Sequence, residues 1–273
     1  MLSSILIFLT NFIYCLAIKY FIFGVKMCKL IGGRHFYGPV IGILLLETKF
    51  PRVVGDVGNA HTYRFPVRFK VIKGANIGNI VLRLERNVIE LFIKAAKELE
   101  EEGVRAITTS CGFTILFQEE LAKSVKIPVF TSSLLMVPLV YRLTQGRVGI
   151  LTANSKCLTE KHLKAAGIEN IPIAIAGLED KPEFSRMILE DSSEGDIYKI
   201  RDEVMFTAKE LVEKYPDIKA LVFECHNLSP FSFYVQKELK IPIFDFVSFV
   251  EFIYKAVVKE DFFTKYPPKY YVG

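Results

Sequence analysis

The chain repeats itself, and that repeat limits its folds more than any other feature. Residues 104–131 (VRAITTSCGFTILFQEELAKSVKIPVFT) align without a gap on residues 218–245 (IKALVFECHNLSPFSFYVQKELKIPIFD), at an offset of 114. Ala106 meets Ala220, Cys111 meets Cys225, and Lys126, Ile127, Pro128 and Phe130 meet Lys240, Ile241, Pro242 and Phe244. Upstream, the tripeptide Gly-Ile-Leu at 42–44 returns at 149–151. Matching cysteines and matching Lys-Ile-Pro turns point to duplication of one unit.

Each copy alternates short β-branched runs with longer stretches of helical period. Residues 40–46, 104–109, 127–130, 147–151, 218–223 and 241–244 read as buried strands. Leu84, Val88, Leu91, Ala95 and Leu99 recur at helical spacing, as do Ile200, Val204, Ala208, Leu211 and Tyr215, so each set lays an apolar stripe along a helix. Alternating strands and helices predict an α/β fold with mainly parallel sheets. The expected architecture is two similar lobes related by a pseudo-twofold duplication, with the site in the cleft between them. The first lobe takes residues 38–133 and returning residues 247–273, and the second takes 134–246.

Residues 1–37 stand apart. They carry Lys19, Lys26, Lys29 and Arg34 and no acid, which leaves 31 bases against 30 acids in the rest of the chain. That balance argues against a nucleic-acid partner, whose phosphates call for clustered positive charge. The apolar run 2–25 is long enough to cross a bilayer. Basic residues after it would hold the body of the protein in the cytoplasm as a membrane-tethered enzyme. A true start at Met27 fits equally well, and a cleaved signal fits less well because no basic stretch precedes the run. Five cysteines without a CxxC pair give neither a disulfide framework nor a zinc knuckle. Cys15, Cys28 and Cys157 read as structural.

Cys111 and Cys225 each fall after a strand and before a helix, where open α/β sheets form their ligand crevice. Ser229 with Pro230 looks like the cap and first residue of the second helix, and Thr114 like the cap of the first. Unpaired amides at those starts favour negative charge. They would bind a carboxylate and lower a thiol from its usual value near 8.5. Two thiols on one molecule suit inversion of a stereocentre, where one face loses a proton and the other receives one. The carbanion that forms needs prepositioned donors, for which Thr109, Ser110, Gly112 with its open backbone, Asn154, Ser155 and Asn227 are candidates. His226 is placed to touch a carboxylate or to tune the neighbouring thiol.

The stretches TTSCGF around Cys111 and FECHNLSP around Cys225, in their duplicated frame, resemble the aspartate/glutamate racemase superfamily of cofactor-independent enzymes. That superfamily spans amino-acid racemases, hydantoin racemase, maleate isomerase and arylmalonate decarboxylase. The segment 47–67 is similar to a subgroup known only as racemase-family proteins, so the likeness runs over roughly residues 40–260. It implies an isomerase that racemises or epimerises an amino acid or related carboxylate, with Cys111 and Cys225 as the catalytic pair. Decarboxylation, cis-trans isomerisation of a dicarboxylate, and carboxylate binding without catalysis are the alternatives. It also implies that Glu47, Thr48, the Asn59 loop and the Asn154–Ser155 turn border the substrate. The family's usual Asn-Thr after the first cysteine and Thr after the second are replaced here by Gly112-Phe113 and His226-Asn227.

On this reading no pyridoxal phosphate, nucleotide or metal is required, and His35, His61 and His162 lack ligand spacing. A homo-oligomer is left open. The run 55–59 (GDVGN) is a glycine-shaped loop without the context of a dinucleotide or phosphate site.

Overall fold

The computed structural model describes residues 32–34, 37–83 and 85–265. The apolar run 2–25, Cys15, Cys28, His35 and Leu84 lie outside the described residues. Among those described, no helix is long and apolar enough to cross a membrane.

The described residues from Tyr37 onward form one compact unit built on two all-parallel, four-stranded sheets. The first contains β1 (Ile41–Leu46), β2 (Val67–Ile72), β3 (Ala106–Thr109) and β4 (Val129–Phe130), in the order β2-β1-β3-β4. The second contains β5 (Arg147–Thr152), β6 (Ile173–Gly177), β7 (Ile218–Phe223) and β8 (Ile243–Phe244), in the equivalent order β6-β5-β7-β8. The central strands are apolar on both faces: Ile41, Ile43 and Leu44 of β1 and Val148, Ile150 and Leu151 of β5 have no exposed surface. Parallel sheets demand this, because helices cover both sides.

Six strands follow the sequence reading to within two residues; β2 and β6 do not appear in it. Both are edge strands. β2 alternates Arg68 and Lys70 with apolar residues and is mostly half-buried, and β6 is an alanine-rich run ending in glycine. Neither has the continuous apolar character of a buried strand. They occupy the same place in the two sheets, so the duplication extends beyond the segment that aligns.

Helix α1 (Ile89–Glu102) covers the first sheet through Phe92, Ala95, Ala96 and Leu99, whereas Leu91 is exposed. Val88, Ala95 and Leu99 are buried as the spacing predicts, and only at Leu91 does the reading fail, because the adjacent bulky Phe92 takes the core position. Helix α1 ends at Gly103, whose left-handed φ of 95° lets its amide close back on Leu99 and Glu100. In the second half the long helix Ile197–Lys214 buries Ile200, Val204, Ala208 and Leu211 as expected. The helix Phe246–Val257 returns to the first sheet, where Phe246 and Phe249 pack on Phe130 and the Val257 carbonyl accepts from Arg105.

The aligned segments keep their register in three dimensions. The 3-10 turns Gly112–Phe117 and His226–Phe231 are offset by the same 114 residues as the sequence match, as are the starts of the helices Gln118–Ser124 and Ser232–Leu239.

Candidate active site

Both 3-10 turns begin on a cysteine. Cys111 and Cys225 hold the cap positions in extended backbone, and Thr114, Ser229 and Pro230 lie inside the turns rather than at their starts. The chain tightens directly after each strand, so the caps expected several residues downstream are displaced to the thiols. The Thr114 hydroxyl accordingly turns back to the Cys111 carbonyl, at 2.5 Å.

One pocket takes both thiols. Its wall includes Leu46 at the end of β1 and Thr48, Phe50 and Arg52 after it, Ser110 to Phe113 after β3, Ala153 after β5, Ile188 and Leu189, and Glu224 to Asn227 after β7. It encloses about 420 Å³ of atom-free space, part of it open to solvent. Bonds between the halves bring the strand ends together. The Ser133 hydroxyl donates to the Phe223 carbonyl at 2.5 Å, and His226 Nδ1 lies 3.2 Å from the Thr109 carbonyl. Asn227 Nδ2 donates to Asp56 Oδ2 at 2.7 Å, and Asp191 Oδ1 accepts from the amides of Lys49 and Phe50 at 2.8 and 3.1 Å.

Of the residues singled out in the sequence, Cys111, Cys225, Thr48, Ser110, Gly112, His226 and Asn227 line this pocket. The others stand behind it. Glu47 is exposed and accepts from the Gly74 amide, and Asn59 holds the Arg52 carbonyl through its Nδ2 at 2.9 Å. Thr109 is buried against Thr114 and Thr131. The Asn154 side chain accepts from the amides of Lys156 and Cys157, while Ser155 bonds Glu179 through its amide and hydroxyl. Asn59 and Asn154 are engaged by their own loops, and Glu47, Thr109 and Ser155 by the neighbouring segments at Gly74, Thr131 and Glu179.

Two charged lining residues carry no sequence prediction. Arg52 is nearly buried; its Nη1 donates to Asp56 Oδ1 at 2.7 Å and its Nη2 to Thr48 Oγ1 at 2.9 Å, over the Phe50 ring. Glu224 is completely buried and accepts from the Thr152 hydroxyl at 2.7 Å through Oε2, while Oε1 has no partner.

Electrostatically the thiols run opposite to expectation. The amides of Phe113 and Thr114 point at Cys111 and that of Asn227 at Cys225, and both sets favour thiolate. Burial outweighs them, and the Glu224 carboxylate adds to it, so Cys111 is pushed up to about 12 and Cys225 well above its usual value. Cys111 lines a mostly apolar pocket, where a thiolate is poorly solvated. Charge on Cys111 also raises Cys225, which places the two sulfurs in electrostatic reach of each other. Burial lifts Glu224 to about 7 and lowers His226 to about 3. A neutral His226 with the Thr109 carbonyl at Nδ1 carries its proton there and presents a lone pair at Nε2.

The raised Glu224 has a consequence for stability. Below about pH 4.5 folded and unfolded chains both hold the proton; between there and about 7 only the folded chain does, so stability falls across that window. Urea unfolding at pH 5 and pH 8 should show the wild type losing up to about 3 kcal/mol more than Glu224→Gln. Equal losses would mean that the carboxyl is not held in its neutral form.

Cys111, Cys157 and Cys225 are free thiols, and no group of three His, Cys, Asp or Glu among the described residues is placed to hold a metal.

No family model matches the chain. It is 29% identical over 222 residues to dimethylsulfoniopropionate lyase 7 of Emiliania huxleyi (strain CCMP1516), a match covering 77% of this chain and 64% of that protein. To the dimethylsulfoniopropionate lyase of Durusdinium sp. clade D it is 28% identical over 238 residues, 82% of this chain and 74% of that one. The chain therefore spans less than two thirds of the length of the Emiliania protein. Among solved structures, unliganded arylmalonate decarboxylase superposes with a TM-score of 0.55 at 15% identity, over 82% of this chain and 94% of that one.

Proposed function

From a chain with the fold of the aspartate/glutamate racemase superfamily, we propose an enzyme that removes the proton α to a carboxylate with a cysteine thiolate and completes the reaction as a β-elimination. The observation that carries this reading is the meeting of two strand-end thiols and a largely enclosed guanidinium, Arg52, on one pocket wall. Arg52 anchors the carboxylate with the donor capacity left beside Asp56 and Thr48. The names of the sequence relatives supply the substrate, a sulfonium propionate. The thiolate takes the α-proton, and the electron pair of that C–H bond becomes the α–β double bond. The β-carbon–sulfur bond breaks, and its electrons leave with sulfur. A zwitterion thus becomes an unsaturated carboxylate and a neutral sulfide, and the proton stays on the thiol.

The two half-sites also differ, which suits a reaction whose steps are unlike. Glu224 precedes the second cysteine where Ser110 precedes the first, and His226 follows it where Gly112 follows the first. Racemisation of an amino acid is the second reading, favoured by the presence of both thiols on the pocket. It shares the first step and uses the second thiol to return the proton.

Incubation of the full chain with dimethylsulfoniopropionate, and separately with single enantiomers of amino acids in deuterated water, distinguishes them. Volatile sulfide with acrylate identifies elimination; α-deuterium with loss of optical rotation identifies racemisation. Because burial holds both thiols in the protonated form, kcat/KM should rise from about pH 6 to about pH 9 in either case. No turnover and no α-exchange would overturn both readings.

A further inference from the structure

Glu224 is the least compensated group in the pocket. Its backbone does what that of Ser110 does in the other half: the Ser110 amide donates to Leu44 at 2.9 Å and the Glu224 amide to Leu151 at 2.7 Å. Their side chains diverge. The Ser110 hydroxyl accepts from the Leu46 amide at 2.9 Å, while Glu224 extends a carboxyl into space that exists only because residue 112 is glycine. A Cβ on Gly112 would lie 2.2 Å from Glu224 Oε1. That oxygen is buried without a partner, as is His226 Nε2, and both residues line the pocket. Two buried acceptors with no donor carry a desolvation cost that a ligand can remove.

The other charged and titratable groups on this pocket wall are Cys111, Cys225, His226 and Arg52, the last paired with Asp56. Arg52 is matched by Asp56, and His226 is neutral, which leaves no protein cation for the Glu224 carboxylate on this wall.

We propose that Glu224 is a specificity-determining residue that seats the cationic centre of the substrate, with Arg52 at the carboxylate end, so that the site selects small zwitterions over simple carboxylates. The proposal rests on the carboxylate-substrate reading above. It gives the cation a second effect: by cancelling the charge that repels both thiolates, a bound zwitterion eases formation of the base that attacks it.

Calorimetric binding of propionate, β-alanine and its N-trimethyl analogue to the full chain tests this without requiring turnover. At about pH 8 the wild type should bind the two cationic acids at least about tenfold tighter than propionate, and that preference should shrink at about pH 5, where Glu224 is protonated. Glu224→Gln should bind propionate as the wild type does and lose the preference. Tighter binding of β-alanine than of its trimethyl analogue would assign N–H donation to the orphan acceptors, and equal binding would assign the effect to charge; either supports the proposal. A wild type without preference, or a variant that keeps it, overturns the role of Glu224 alone. Failure of all three acids to bind overturns the carboxylate reading and this proposal with it.

Discussion

Cys111→Ser lowers turnover by about 10²–10⁴-fold, the range expected when a positioned acid/base group is lost, and leaves the folded chain intact because the exchange is nearly isosteric. A hydroxyl titrates far above a thiol and cannot supply the base. The two cysteines should also separate in a manner that reports the reaction. Cys111 retains surface toward the pocket, whereas Cys225 is buried and points its thiol at Asn227 Oδ1, 3.7 Å away. Elimination needs one base, so Cys225→Ser should cost it much less than Cys111→Ser. Racemisation needs both groups, and the two variants should then fail alike. Sulfide release and α-deuterium exchange measured on both variants check this. Full activity in Cys111→Ser would remove the thiolate mechanism.

Gly112→Ala is the second change with a large expected effect. The added carbon would meet Glu224 Oε1 at 2.2 Å and the Glu224 carbonyl oxygen at 2.3 Å. A side-chain rotation can relieve the first contact, but the second is with backbone at the end of β7 and requires the strand end to shift. Overpacking of this kind costs about 1–3 kcal/mol, and here the displaced atoms adjoin Cys111 on one side and Cys225 on the other. Urea unfolding should show the loss of stability, and activity should fall with it. Removing the carboxyl as well, in Gly112→Ala with Glu224→Ala, should leave much of the defect in place because the carbonyl remains. Full recovery in the double variant would show that the side chain alone sets the fit.

Much of this arrangement could be read in the chain. The offset of 114 places the two thiols, the two 3-10 turns and the starts of the two following helices in register, and the apolar runs locate every central strand. The edge strands β4 and β8 are legible too, but β2 and β6 are not, because Arg68 and Lys70 give β2 the pattern of a half-exposed segment and β6 is a short alanine-rich run. Leu91 reads as a core residue of α1 because spacing cannot tell which of two adjacent apolar residues, Leu91 or Phe92, fits the sheet better. The direction of the thiol shifts was missed because sequence shows the amides at a helix start but not the burial that opposes them. Thr109, Asn154 and Ser155 carry the right chemistry at the right strand ends, and Thr131, the Lys156 and Cys157 amides, and Glu179 engage it. Arg52 gave no sequence signal beyond lying in the loop after β1. Glu224 gave one: the repeat pairs it with Ser110 and pairs Gly112 with His226, a reciprocal exchange of small and large residues. Such an exchange is expected where two side chains compete for one volume.

The loop that brings Arg52 to the pocket leaves the first sheet but is fastened to the second half, through Asp191 on the amides of Lys49 and Phe50 and through Asn227 on Asp56. A molecule gripped by Arg52 and facing both sulfurs would therefore act as a cross-link between the two copies of the ancestral unit. Occupancy should register as resistance to melting of the entire unit, even when no bond in the ligand is broken.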